Sequence, residues 1–186
     1  MAMAKPPFYQ RAKGNPLTVE ITKQANGTWE IEPAKGFQAE MKRRRDDDMT
    51  AITSHKGKDV VDEWKDRRAG GAPVLPPFKM NPNHIPIVMR EGEDVDIVCP
   101  QGFAFVVWMD RDSNVSIEAG TPGNPFGWRL PQTASPGGKV PGTVLGIVNG
   151  KGPADQRFYK VTAFIYDETG NPPETVTVDP DGSCDR

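Results

Sequence analysis

Proline restricts this chain more than any other residue, and its placement divides the sequence. Of 19 prolines, 15 stand at or beyond Pro73, and none lies between Pro33 and Pro73. Proline fixes φ and lacks a backbone N–H, so it ends helices and is confined in sheets to edges and turns. With 19 glycines in the same chain, the C-terminal region has room for short extended segments joined by tight turns. The segments left between the breaks are 85–90, 94–99, 103–109, 115–119, 142–148, 157–167 and 174–178. The run Arg157-Phe-Tyr-Lys-Val-Thr-Ala-Phe-Ile-Tyr166 is long and apolar enough to be a central strand. Short strands at this spacing predict an antiparallel β-sandwich over 73–186. The Pro136-Gly-Gly-Lys-Val-Pro-Gly142 stretch reads as a flexible loop between strands.

Ahead of that region, residues 1–16 hold Pro6, Pro7 and Pro16 around a Phe8-Tyr9 pair, which predicts an extended arm. Leu17-Thr-Val-Glu-Ile-Thr22 and Thr28-Trp-Glu-Ile-Glu32 alternate apolar with polar residues, and Asn26-Gly27 between them supplies a tight turn. A β-hairpin over 17–32 follows, with Leu17, Val19 and Ile21 facing Trp29 and Ile31. A lone hairpin is marginal in water, so that face must pack on the later domain or on another chain. From residue 34 to 71 charge dominates, and Lys42-Arg43-Arg44-Arg45 runs straight into Asp46-Asp47-Asp48. Residues 59–68 read as a helix capped by Asp59, with a second helix near 37–44. The organisation expected is an arm and hairpin over 1–33, a charged connector over 34–72 and the sandwich over 73–186. The fold class is mainly β: a C-terminal antiparallel β-sandwich preceded by an N-terminal arm, a β-hairpin and a charged, partly helical connector.

Four stretches, Phe103-Ala-Phe-Val-Val-Trp108, Asn124-Pro-Phe-Gly-Trp128, Phe158-Tyr-Lys-Val-Thr162 and Val176-Thr-Val-Asp-Pro180, give the C-terminal region a pattern of its own. It resembles immunoglobulin-like or cupredoxin-like β-sandwich domains over about residues 80–182. Antibody-type domains place a tryptophan between two cysteines, whereas here Cys99 precedes Trp108 and Cys184 lies beyond the last expected strand. Cupredoxins hold copper with two histidines, a cysteine and usually a methionine. This region has only His84, so no copper site is expected.

Charge and motif content narrow the function further. Residues 1–75 carry 14 Lys/Arg and 11 Asp/Glu, a balance of +3; residues 76–186 carry 9 and 14, a balance of −5. Neither half has the excess of a nucleic-acid-binding domain, and the second would repel phosphate. No apolar run has the length of a signal peptide or a membrane span, which predicts synthesis in the cytoplasm. Cys99 and Cys184 could pair, although reduced thiols fit the missing export signal at least as well. His55 reads as a solvated connector residue and His84 as a turn residue. Neither belongs to a nucleophile–base motif, and no phosphate-binding loop is present. Asp110–Asn114 and Asp179–Asp185 hold alternating oxygens like pieces of a calcium loop, but acidic residues at strand ends explain them. Glu91/Glu93 and Asp94/Asp96 read as solvated charges on strand edges. The expectation is a protein without enzymatic activity, cofactor or metal site.

The reading that remains is a structural or interaction protein, a subunit or decoration component of a larger assembly such as a virion. Its partners would be other protein chains, copies of itself among them, with no membrane. The residues expected to make contact are Phe8 and Tyr9 in the arm, Leu17, Val19, Ile21, Trp29 and Ile31 in the hairpin, and Arg43, Arg44 and Arg45 in the connector. The alternative is a carbohydrate-type binding module in which Phe126 and Trp128 stack on a ligand. Full burial of Trp128 would end that alternative.

Overall fold

A computed structural model describes residues 15–44, 46, 85, 87–90, 92–111, 124–145, 157–167, 172 and 174–185. Phe8, Tyr9, Arg45, His55, His84, the helix expected over 59–68 and the strand expected over 115–119 lie outside the described residues. The protein is mainly β, with two sheets around one core. Its strands are β1 (Leu17–Lys23), β2 (Trp29–Pro33), β3 (Ile87–Arg90), β4 (Asp94–Val98), β5 (Ala104–Arg111), β6 (Gln132–Ala134), β7 (Lys139–Thr143), β8 (Arg157–Tyr166) and β9 (Glu174–Asp185). A 3₁₀ turn at Lys35–Phe37 leads into a helix, α1, whose described residues are 38–44 and 46. The first sheet has the order β2-β1-β4-β7 and the second β3-β9-β8-β5-β6.

The hairpin forms as its alternation requires. Lys23 pairs with Trp29 beside the turn, and Gly27 closes that turn at φ 85°, a left-handed conformation in which a side chain would be strained. The Asn26 carboxamide accepts from both the N–H and the hydroxyl of Thr28. Of the two surfaces open to its apolar face, the hairpin uses the later domain. β1 pairs in parallel with β4, Leu17 opposite Val95 and Glu20 opposite Val98. Leu17, Val19, Ile21 and Ile31 are fully buried in the core shared with β4, β5 and β8. The far end is fastened by one amide: Gln101 donates to the Lys23 carbonyl at 3.0 Å and accepts from the Lys23 N–H at 3.3 Å.

Two of the pairings are parallel, β1 with β4 and β3 with β9, so the sandwich is mixed where antiparallel pairing was expected. Arg157–Tyr166 is the middle strand of the second sheet, as its length and composition imply. The 136–142 stretch is different. After a turn in which the Gly138 N–H donates to the Ser135 carbonyl at 2.8 Å, Lys139–Thr143 forms an edge strand on β4. An edge tolerates Pro141 because its missing N–H can face away from the neighbour. β9 also runs further than expected, through Asp179-Pro180-Asp181. The register jumps there, from Val178 opposite Val161 to Gly182 opposite Tyr159, so the prolyl residue sits in an irregularity that needs no ladder donor.

Candidate functional site: the outer face of the second sheet

Side chains alternate across a strand, so the burial of β5 and β8 separates their two faces. Phe105, Val107 and Met109 of β5 and Val161, Ala163 and Ile165 of β8 point into the core. Toward one end of these strands the outward positions are largely apolar as well. Phe164 is 44% exposed and Tyr166 45%, and the ladder sets Val106 opposite Phe164, Ala104 opposite Tyr166 and Trp108 opposite Thr162. Val106 and Trp108 are half-buried, and Thr133 of β6 extends the strip beside Val106. An aromatic and aliphatic strip therefore crosses the middle strands of a sheet, where a two-layer protein ordinarily presents polar residues. The sequence carried a signal for it. A strand apolar at successive positions must turn one apolar set outward unless both of its faces are covered.

The hairpin and connector residues expected to make contact are placed otherwise. Leu17, Val19, Ile21 and Ile31 are core, which leaves them nothing to offer a partner. Trp29 is half-buried, edge-on to Phe103 at 5.9 Å between centroids, with the Lys23 ammonium 5.5 Å from its ring. Arg43 is exposed on α1, while Arg44, its neighbour, is 2% exposed. Arg44 donates to both carboxylate oxygens of Glu93, at 2.8 and 2.9 Å, to Glu40 at 2.7 Å and to the Val88 carbonyl at 2.8 Å. Burial by itself would lower the Arg44 pKa; the hydrogen bonds and charge of Glu93, with the charge of Glu40, outweigh it and hold the group above its ordinary value. Glu93 is correspondingly not a solvated edge charge: its side chain is 6% exposed and clamped on Arg44. Asp94 and Asp96 are tied to β7, by the Thr143 hydroxyl at 2.7 Å and the Lys139 ammonium at 2.5 Å.

Phe126 and Trp128 come together, with centroids 4.6 Å apart, but they face inward. Asn124 is the organiser. Its buried carboxamide donates to the Met109 carbonyl at 2.5 Å and accepts from the N–H groups of Phe126 and Trp128 at 2.8 and 3.3 Å. Phe126 is 8% exposed and lies over Gly142 so closely that a Cβ there would fall 2.6 Å from the ring. Trp128 is half-buried against the core. The two rings thus give each other much of the surface a stacked ligand would need.

Among the described residues no three His, Cys, Asp or Glu side chains gather, and no helix is long and apolar enough to cross a membrane. Cys99 is a buried free thiol, 4.0 Å from the Gln101 carboxamide oxygen. No protein-family model matches the chain, and neither the curated proteins nor the solved structures gave a match.

Proposed function

We propose that this protein is a non-enzymatic interaction module, a subunit or decoration component of a larger protein assembly such as a virion, that docks through the outer face of its second sheet. The observation that carries the reading is the half-exposed pair Phe164 and Tyr166 beside Val106 and Trp108 on the two central strands. Aromatic side chains grouped on a rigid surface supply binding area at small entropic cost, and such groups anchor protein interfaces. A two-sheet sandwich, immunoglobulin-like or cupredoxin-like in outline, is the scaffold that keeps them in place. The partner is another protein chain, and copies of this one come first.

Light scattering on wild type and on the Phe164→Ser/Tyr166→Ser variant tests this. Wild type should associate, and the variant should run as a single chain with an unchanged β spectrum. Equal masses for the two would end the proposal. Quenching of tryptophan fluorescence by a soluble polysaccharide, abolished in the same variant, would transfer the face to a carbohydrate ligand instead.

A further inference from the structure

The turn of the hairpin closes a ring around a reactive pair of atoms. Asn26 Oδ1 accepts from the Thr28 N–H at 3.0 Å and from the Thr28 hydroxyl at 2.7 Å. Only an acceptor can meet a backbone N–H, so the carboxamide oxygen, and not its nitrogen, occupies that position. The ring closed by the first of these bonds contains both Asn26 Cγ and the Gly27 nitrogen, which brings the side chain back over the next peptide unit. Gly27 has no Cβ, and one built there would meet nothing within 4 Å. No neighbour therefore crowds that nitrogen. Residues 25–28 are all exposed, so water and hydroxide reach them.

We propose that Asn26 is a self-modification site, at which the turn itself promotes conversion of the asparagine to aspartate and isoaspartate. Hydroxide removes the Gly27 amide proton, and the nitrogen attacks Asn26 Cγ. As the new C–N bond forms, Oδ1 takes up negative charge where the Thr28 N–H and hydroxyl already point at it. Donors fixed at a developing oxyanion lower the barrier to acyl transfer. The tetrahedral carbon then expels Nδ2 as ammonia and leaves a cyclic imide, which water opens at either carbonyl. In sum, asparagine and water give aspartate or isoaspartate and ammonia. One bond opposes the step: the Gly27 N–H donates to the Gln24 carbonyl at 2.9 Å and must be released first. That bond lies beyond the last ladder pair, Lys23 with Trp29, in an exposed turn, where backbone hydrogen bonds open at low cost. Isoaspartate carries the main chain through the former side chain, which lengthens the turn by a backbone carbon and gives it a charge. The inference is independent of the outer-face interface, which uses other residues.

The test incubates the full chain in alkaline buffer made with heavy-oxygen water and follows label uptake at Asn26 by peptide mass spectrometry. Asn149-Gly150 is the internal reference, since Lys151 offers it no hydroxyl. Asn26 should take up the label, with aspartyl and isoaspartyl peptides both present. Relative to Asn149, Thr28→Val should slow Asn26 by about two- to tenfold, the worth of one hydrogen bond, and Thr28→Ser should keep the wild-type rate. Thr28 is exposed, so both variants keep the core. In strong urea the turn no longer exists, and wild type and Thr28→Val should react alike. No uptake at Asn26 while Asn149 is consumed would overturn the proposal. So would a Thr28→Val rate equal to or above wild type, or a difference that survives in urea.

Discussion

At Asn124 a single side chain does what several residues of a longer loop would otherwise do. Its carboxamide serves one carbonyl and two N–H groups, and it turns the chain so that Phe126 enters the core. Asn124→Ala leaves those three groups buried and unmatched and should cost about 1–3 kcal/mol, read from the midpoint of urea unfolding. Gly142→Ala tests the same corner from the other side, since the added carbon would fall 2.6 Å from the Phe126 ring. A loss of about 1–3 kcal/mol is expected, together with a change in tryptophan emission as Trp128 shifts. Arg44 sets a different expectation. With its pKa raised, its share of stability is complete below the unfolded-state value and is lost only as pH climbs past the folded one, far above neutrality. Titration between about pH 6 and 9, where even an ordinary arginine stays protonated, should therefore leave that share untouched. Arg44→Met alone should cost about 3–5 kcal/mol, because it strands the Glu93 charge.

Elements were legible in the sequence where the signal was local. The hairpin could be read from two alternating runs and an Asn-Gly turn, and its turn, register and buried set follow from those residues alone. The helix near 37–44 and the long middle strand were visible for the same reason. What could not be read was adjacency. Nothing in Leu17-Thr-Val-Glu marks Val95–Val98 as its neighbour, because parallel pairing leaves no local trace. β7 was hidden by Pro141, which an edge strand tolerates, and the far half of β9 by Pro180, which an irregular register absorbs. The burial of Arg44 beside exposed Arg43 was equally invisible, since four successive basic residues look alike until a helix sorts them by face. The hairpin's place in the core has a direct consequence. Removing residues 1–33 would strip Leu17, Val19 and Ile21 from the sandwich, about 5–9 kcal/mol of apolar burial, comparable with the whole stability of a domain. The truncated chain should lose its β spectrum, whereas a detachable tether could be removed without harm.

The described strands form one body because each sheet contains strands from distant parts of the chain. The first joins β1 and β2 to β4 and β7, and the second joins β3 to the C-terminal β9. Hydrogen exchange should accordingly show β1 and β8 opening together at the global free energy, without an earlier opening of the hairpin. A separate, lower-energy opening of 17–33 would mean that the hairpin is only loosely attached. The candidate interface belongs to this scale as well. Its residues come from two strands whose inner faces are locked in the core, so the strip is rigid before it meets a partner, and binding need not order it.

The parallel pairing of β1 with β4 also bears on time. Leu17 leaves the ribosome long before Val95 exists to receive it, and Ile87 must wait for Gly182. During synthesis the hairpin can close on its own, yet its apolar face stays uncovered until most of the chain has been made. Topologies dominated by such distant contacts fold slowly, over milliseconds to seconds. The nascent chain therefore carries a sticky, half-finished sheet through much of its birth, and its yield in the cell should depend on chaperones more than the stability of the finished sandwich would indicate.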